Sequence, residues 1–153
     1  MTGRAAAFAV VFIALYAAHQ VGDHWVQTST EAARKGLPGW PGRLACAGHV
    51  TTLTLTKLAA VVAAVLVLGI HLAAWSLAAA LALDAVSHYW ADRRTTLAGL
   101  AHLLGKSGFY ALGAPRPGHD DNPSLGTGAY ALDQSWHVGW LFAAALIAAV
   151  GAS

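Results

Sequence analysis

Four apolar stretches, each about as long as a bilayer-spanning helix, divide this chain. They cover residues 5–27, 43–68, 72–91 and 128–150, and each reaches the ~20 residues that a helix needs to cross a hydrocarbon core. Within lipid a chain satisfies its backbone hydrogen bonds only as helices or as a closed barrel, and the apolar period here is that of a helix. The pattern predicts an all-α fold, an integral membrane four-helix bundle that forms a single domain over residues 1–153.

The segments between these stretches are polar or rich in glycine and proline. Residues 28–42 contain two prolines and three glycines, which predicts a loop with no continuous helix at its end. Residues 92–112 are apolar but short and interrupted by three glycines, which predicts an interfacial helix lying on the membrane. A Gly/Pro-rich loop at residues 114–128 follows, and its length predicts a lid or substrate loop. Three of its residues are interpreted as solvated loop polarity rather than metal ligands: His119, Asp120 and Asp121.

The composition supports the membrane interpretation. The chain is 57% hydrophobic and only 10% charged, whereas a soluble domain has about 25% charged residues. The net charge of +2 is small and no basic run is interleaved with aromatic residues, so nucleic acid is not an expected partner. A single cysteine, Cys46, excludes an internal disulfide and a multi-cysteine metal site.

Polar residues interrupt the apolar stretches at helical spacing. Most of them fall at i, i+4 or at i, i+4 and i+8, and at about 100° per residue such positions share one face of a helix. Ionisable groups inside apolar sequence are costly to bury unpaired, so each set requires a partner. The sets are His19, Asp23 and Gln27 in the first stretch, His49 in the second, Asp84, His88 and Asp92 in the third, and Asp133, Gln134 and His137 in the fourth.

These sets are predicted to meet at one side of the membrane. Consecutive helices alternate in direction, so the ends of the first and third stretches lie on the same side as the starts of the second and fourth. Four helices that direct His and Asp side chains into a bundle core form a metal site. Imidazole with carboxylate suits zinc, our first choice, or iron or manganese. One ion or two are both compatible with seven candidate ligands: His19, Asp23, His49, His88, Asp92, Asp133 and His137.

Four further polar residues have predicted roles around this site. Asp84 is the carboxylate left without a role as ligand, and we predict that it acts as a general base without an ionic partner. Lys57 either stabilises a developing anion or neutralises a carboxylate. Gln27 and Gln134 are predicted to orient the metal ligands by hydrogen bonds.

Basic residues predict which side of the membrane holds the site. Seven of them lie in the two connections on the side of the His and Asp sets, against one arginine on the other side, so the positive-inside rule predicts a cytoplasmic site with both termini outside. The alanine-rich, lysine-poor composition indicates a bacterial source and hence the bacterial inner membrane. Arg93 and Arg94 are interpreted as such topology charges rather than as phosphate ligands. The seven are Arg34, Lys35, Arg43, Arg93, Arg94, Lys106 and Arg116.

These motifs resemble those of a bacterial four-helix integral-membrane family of unknown function. Its members look like H-x-x-G-D-x-x-x-Q near the start, a lone His opening the second helix, H-x-x-x-D-x-x-K late in the third and D-Q-x-x-H opening the fourth. Here the same motifs occur in the same order over nearly the whole chain, although His24 and the Arg93–Arg94 pair depart from the usual pattern. The resemblance implies the four-helix membrane fold and the His/Asp site, but no established reaction. More distantly, the pattern is similar to membrane-bound metal-dependent hydrolases, by analogy only.

Several functions remain open at this point. The first is a membrane-embedded metal-dependent hydrolase acting at the cytoplasmic face on a lipid-linked or amphipathic substrate. The second is a metal-ion or proton transporter or channel subunit, which with only four spans would require a homo-oligomer. The third is a di-metal redox enzyme, although such bundles typically use glutamates and Glu31 is the only glutamate here. The fourth is a membrane subunit whose polar core only determines helix packing.

Overall fold

A computed structural model of the protein describes residues 2–116, 118 and 127–153. Within these residues the chain is helical and has no strand, apart from one isolated backbone bridge between Leu72 and Ala152. The loop residues His119, Asp120 and Asp121 lie outside the described residues. The prediction of an all-α fold is confirmed for the described part of the chain.

Four long helices coincide with the four predicted apolar stretches. The first continues into a π-helical turn, Gly22–Val26, and three short helices occupy the connections. In chain order the helices are α1 (Thr2–Val21), α2 (Ser29–Arg34), α3 (Gly39–Leu68), α4 (Ala74–Asp92), α5 (Thr95–Leu103), α6 (Ser107–Tyr110) and α7 (Gly128–Val150).

The four long helices enclose one core. Helix α1 packs against α3 and α7, and α4 packs against the same two helices. Alanines such as Ala80, Ala144 and Ala148 are fully buried between α4 and α7, where small side chains allow two helices to approach closely. The larger members of the same apolar core include Val11, Leu15, Val61 and Leu141.

The outward faces of the long helices are apolar. Large side chains on all four are between 48% and 76% exposed, among them Ile13, Leu55, Leu66, Val86 and Phe142. The polar residues of the same helices are largely buried instead. This distribution is the reverse of a soluble helix, whose polar face lies outward.

Two helical segments of the described chain are long and apolar enough to cross a membrane. They are Gly3–Val26 and Gly39–Leu68, judged by length and composition. Helices α4 and α7 have polar residues that lower their mean hydropathy, and several of these are among the residues that the fold buries. Length and apolarity therefore mark two of the four predicted spans, and insertion in a membrane stays a prediction.

The predicted loop at residues 28–42 contains a helix, α2. Its start is a capping box: the Thr28 hydroxyl accepts a hydrogen bond from the Glu31 backbone N–H at 3.2 Å, and the Glu31 carboxylate accepts one from the Thr28 backbone N–H at 2.9 Å. That second bond holds the pKa of Glu31 below its usual value. The T-x-x-E spacing was visible in the sequence, so the expectation of a plain loop was wrong for a recognisable reason.

Helix α3 begins before the predicted boundary. It starts at Gly39 rather than at residue 43, with Pro41 in its first turn. The first N–H groups of a helix have no intrahelical acceptor, so proline costs no hydrogen bond there. The preceding connection is held by Arg93, whose guanidinium donates to the carbonyl oxygens of Lys35 and Leu37, each at 2.6 Å.

Residues 92–112 form two short helices instead of the single one predicted. The residue Arg94, with φ 57°, turns the chain between α4 and α5. Gly105, with φ 68°, lies between α5 and α6, in a left-handed conformation that glycine adopts without steric cost. Helix α5 packs on α4, and α6 packs on α5 and α7.

Candidate metal centre

Four histidines from four different helices meet inside the protein. They are His19 on α1, His49 on α3, His88 on α4 and His137 on α7, and none is more than 2% exposed. The His88 and His137 rings stack with their centroids 4.0 Å apart. The Nε2 atoms of His49 and His88 are 3.1 Å apart. The helices that were predicted to direct histidines to one place therefore do so.

Two carboxylates contact the same imidazoles, and their side chains are 3% exposed at Asp92 and 11% exposed at Asp23. Asp23 Oδ1 lies 3.2 Å from His49 Nε2 and 3.8 Å from His88 Nε2. Asp92 Oδ2 lies 3.3 Å and 3.1 Å from the same two nitrogen atoms. Asp23 belongs to the π-helical turn, a local geometry that often occurs at functional sites.

The i, i+4 pairs predicted from the sequence are in contact. His19 Nε2 lies 3.5 Å from Asp23 Oδ2 on the first helix and its π turn. Asp133 Oδ1 lies 3.5 Å from His137 Nε2 on α7. A third carboxylate, Asp92 Oδ1, approaches His137 Nε2 at 3.9 Å and so connects α4 with α7. All seven candidate ligands thus belong to one cluster.

The cluster contains three groups in which each residue offers one ligand atom and these atoms lie within 4.8 Å of one another. The first and third groups share no residue, and the second shares His88 with the first and Asp92 with the third. The arrangement therefore has the donors for one ion or for two. The groups are His19, Asp23 and His88; His49, His88 and Asp92; and Asp92, Asp133 and His137.

Several polar atoms at the centre of the cluster have no hydrogen bond. The Nε2 atoms of His19 and His137 and the Oδ1 atom of Asp23 are buried, and none has a partner of hydrogen-bond geometry. An unsatisfied buried polar group costs roughly 1–3 kcal/mol, so several at one place require an explanation, and an ion bound between them would provide one. The donor set, imidazole with carboxylate, fits a divalent metal ion.

The outer nitrogen atoms fit this interpretation less well. Metal-binding histidines usually donate their second ring N–H to a carboxylate or a carbonyl. The Nδ1 atoms of His19, His49 and His88 are buried and have no such acceptor among the described residues. The atoms that would contact an ion are therefore present in the cluster. The hydrogen-bond acceptors that would orient these three histidine rings are absent from the described residues.

Lys35 belongs to the site, although from the sequence alone it is interpreted only as a topology charge. Its Nζ atom lies 2.9 Å from Asp92 Oδ2, and its side chain is only 12% exposed. It reaches Asp92 from the C-terminal end of α2, a helix that packs on α3. No spacing in the sequence relates Lys35 to Asp92, so only the fold of residues 28–42 reveals the contact.

Asp84 and Lys57 form a separate buried pair. Lys57 Nζ donates to Asp84 Oδ2 at 2.6 Å, and both side chains are almost fully buried. The expectation of an Asp84 without an ionic partner is therefore wrong, because the lysine one helix away reaches it. The alternative that Lys57 neutralises a carboxylate is confirmed. Neither residue belongs to the three ligand groups, and a catalytic role for either stays a prediction.

The two glutamines differ in what they contact. Gln134 Nε2 lies 3.4 Å from Asp133 Oδ2, next to a candidate ligand. Gln27 Nε2 is buried and has no hydrogen-bond partner. The predicted orienting role therefore has a contact to support it at Gln134 and none at Gln27.

A polar cavity of about 510 Å³ adjoins the cluster. The carboxylates of the three ligand groups reach its wall, whereas the four histidines lie behind them. Two cationic side chains, both glutamines, His24 and three residues with hydroxyl groups complete the polar part of the lining. Its ionisable and amide residues include Asp23, Asp92, Asp133, Lys35, Arg94, Gln27 and Gln134.

Comparison with known proteins finds no relative. The chain matches no protein-family model, no curated protein and no solved structure. The resemblance to the four-helix membrane family stays a prediction, and the function has to be inferred from the geometry of the cluster and its cavity.

Proposed function

We propose that this protein is an integral membrane four-helix bundle that binds one or two divalent metal ions, with zinc as first choice and iron or manganese as alternatives. We further propose that it is a metal-dependent hydrolase. The observation that carries both proposals is the convergence of four buried histidines and three aspartates, from four helices, around a polar cavity.

The distribution of polarity supports the membrane part of the proposal. Large apolar side chains cover the outside of all four long helices, and such a surface is favourable in lipid and costly in water. The polar residues that interrupt α4 and α7 are directed inward, where they contact one another. With the basic residues of both connections on the side of the cluster, we assign that side to the cytoplasmic face of a bacterial inner membrane.

The chemistry follows from what the cavity brings together. The histidines and aspartates of the cluster would hold a divalent ion, and that ion would supply the Lewis acidity needed to polarise a substrate oxygen and to activate water at neutral pH. The histidines hold their orientation because they are packed in the core, and their burial excludes bulk water from one side. Lys35 and Arg94 on the cavity wall are placed to bind an anionic part of a substrate.

A transporter or channel is the weaker candidate. A path across the membrane requires polar lining on both sides of the Lys57–Asp84 pair. Beyond that pair the only buried polar side chain of the described core is Ser76, and the rest of this part is apolar, with Val11 and Val61 fully buried in it. A di-metal redox enzyme is also less favoured, because Glu31 caps α2 and does not enter the cluster.

Metal analysis tests the first part of the proposal. The wild-type protein, purified in detergent with its metal retained, is compared by mass spectrometry with His88→Ala and Asp133→Ala. We expect near-stoichiometric zinc, iron or manganese in the wild type and a loss in both variants. His71→Ala is the matched control, because His71 is exposed in the connection between α3 and α4 and lies outside the cluster.

Hydrolase activity is tested on the same preparations with p-nitrophenyl esters and phosphates of graded alkyl length. We expect activity that a chelator abolishes and that zinc restores. A folded wild-type protein without bound metal would refute the metal site. A metal-loaded protein that hydrolyses none of these compounds would refute the assignment to ester and phosphate hydrolysis.

A further inference from the structure

A second cavity, apolar and about 500 Å³ in volume, lies between α5 and α7. Leucines of α5 form one wall and the rings of Trp136 and Trp140 form part of the other. Gly139 lies between these two tryptophans in the chain and also lines the cavity. We call this cavity the α5–α7 groove. Its volume is in the range of known small-molecule sites.

The groove adjoins the polar cavity. Leu97 of α5 lines both of them, and its side chain is only 6% exposed. On one side of Leu97 lies the polar cavity with its carboxylates and cations, and on the other side lies the apolar α5–α7 groove. A molecule with a polar head and an apolar chain would place its head in the polar cavity and its chain in the apolar groove, so that neither part contacts a surface of unlike polarity.

The charge of the polar cavity predicts the charge of the ligand's head group. The described lining of the polar cavity has three carboxylates and two cations, so the binding of one divalent ion by the cluster makes this lining net positive. Lys106 adds a further cation at the wall of the groove. A positively charged site of this kind favours an anion, and cationic side chains bind phosphate oxygens by charge-assisted hydrogen bonds.

The geometry points to a single-chain amphiphile with a phosphate-like anionic head as the ligand of this protein. Its head lies in the polar cavity beside Lys35 and Arg94, and its alkyl chain lies in the α5–α7 groove. This inference rests on the proposed function, since the cluster's metal supplies the positive balance, and it names the class of substrate on which the hydrolase acts.

Two glycines allow a matched test of the groove. A Cβ added at Gly139 or at Gly99 meets no atom within 4 Å, so a larger side chain fits the backbone at both positions. Gly139 lines the groove, whereas Gly99 lies on α5, is exposed and does not line it. Gly139→Leu therefore fills the groove, and Gly99→Leu adds the same side chain outside it. Gly139→Ala provides a milder version of the first change.

The probe is dodecyl phosphate brominated at the end of its chain, because bromine quenches tryptophan fluorescence on contact and Trp136 and Trp140 line the groove. In detergent, we expect saturable quenching of the metal-loaded wild type and of Gly99→Leu. We expect at least tenfold weaker binding in Gly139→Leu and an intermediate value in Gly139→Ala. Inorganic phosphate tests the head alone, and an equally brominated dodecyl trimethylammonium tests the chain with a cationic head.

Each variant and each control ligand tests a different part of the inference. Equal, non-saturable quenching in both leucine variants would overturn the groove as a binding site. Equal affinity for the phosphate and the ammonium amphiphile would overturn the anionic head and leave only a lipid-facing surface. If inorganic phosphate competes as well as dodecyl phosphate, the ligand is a free phosphate and the inference is wrong.

Metal content separates this inference from the proposed function. Gly139→Leu is expected to keep its metal and its size-exclusion profile, because the substitution lies outside the cluster. A protein that binds metal but shows no groove-dependent quenching would refute only the amphiphile. A protein without metal that still binds dodecyl phosphate through the groove would refute the proposed metalloenzyme and the metal as the source of positive charge, and would keep only the groove as the binding site of the chain.

Discussion

At the scale of single residues, the site depends on side chains that share partners. Asp92 contacts His49, His88 and Lys35 and approaches His137. His88 likewise belongs to two of the three ligand groups. Substitution of such a shared residue affects every group that contains it, whereas substitution of Asp23 or Asp133 affects only one.

Residues that belong to only one ligand group can be used to count the ions that the protein holds. Asp23 belongs only to the first group and Asp133 only to the third, and these groups share no residue. We expect Asp23→Asn and Asp133→Asn each to lose one ion of two, and the double variant to lose both, because each group requires its own carboxylate. Metal analysis of purified variants measures this. Full retention of metal in both single variants would instead assign a single ion to the central group.

The Lys57–Asp84 pair makes a prediction about stability. Removing one member of a buried ion pair leaves an uncompensated charge, which costs roughly 3–5 kcal/mol, whereas an apolar replacement of both is often neutral. We expect Lys57→Met and Asp84→Leu to lower the free energy of unfolding by about that amount, and the double variant to recover most of it. Chemical unfolding in detergent measures the cycle.

Lys106→Met is the control for the loss of a lysine, because Lys106 is exposed, and we expect it to change the free energy of unfolding little. Additive losses in the double variant would show that the two side chains do not depend on each other. Loss of hydrolysis in a double variant that stays folded and metal-loaded would return the pair to the catalytic roles first predicted for it.

At the scale of the elements, two local features position the cluster. The π-helical turn at the end of α1 holds Asp23, and α2 brings Lys35 to Asp92. The spacing of Thr28 and Glu31 is a capping-box signal that the prediction of a loop did not use, whereas no such signal marks the π turn. A π turn differs from an α turn by one hydrogen-bond register, and no residue spacing distinguishes the two.

Gly22, at the start of this π turn, tests how tightly α1 must pack. A Cβ at this position would overlap Leu53 Cδ1 on α3, and Leu53 is 1% exposed and has little room to move. Overpacking of this kind costs about 1–3 kcal/mol. We expect Gly22→Ala to lower the melting temperature and the metal content, because it displaces the adjacent Asp23. We expect Leu53→Ala to restore the metal content in the double variant, while the cavity that it leaves keeps the melting temperature low.

Gly139→Ala is the control for the helical propensity of alanine, since a Cβ there meets nothing. It is expected to be neutral or stabilising by about 0.5–1 kcal/mol. Wild-type stability and metal content in Gly22→Ala would contradict the idea that this close approach positions the cluster.

At the scale of the whole molecule, the cluster joins all four long helices at one end. Each helix or its adjoining turn contributes at least one histidine or aspartate, and the other half of the described core is mostly apolar packing. A ligand that binds only the folded state stabilises it by mass action. A metal ion bound by residues of all four helices would therefore stabilise the packing of these helices.

Metal removal tests this link. At a free metal concentration 100 times Kd, binding contributes about 2.7 kcal/mol, so we expect a chelator to lower the melting temperature of the wild type in detergent. The double variant His88→Ala with Asp92→Ala is the control and is expected to be insensitive to the chelator. Equal sensitivity in both proteins would show that the chelator acts elsewhere.

The sequence by itself determined the four long helices and most of the candidate ligands. Both follow from local periodicity: apolar runs of helical length locate the helices, and i, i+4 spacing places His19 with Asp23 and Asp133 with His137 on one face. Alternating helix direction then predicts that the sets meet. These inferences need no contact between distant parts of the chain.

Only the tertiary structure decided the partners across helices. The pairs Lys57–Asp84 and Lys35–Asp92 join residues 27 and 57 positions apart, and Leu97 joins two cavities whose walls come from several helices. Spacing along one helix contains no information about such contacts, because they depend on how the helices rotate and approach one another. For that reason the sequence predicts which groups the site contains, and the fold determines which of them touch.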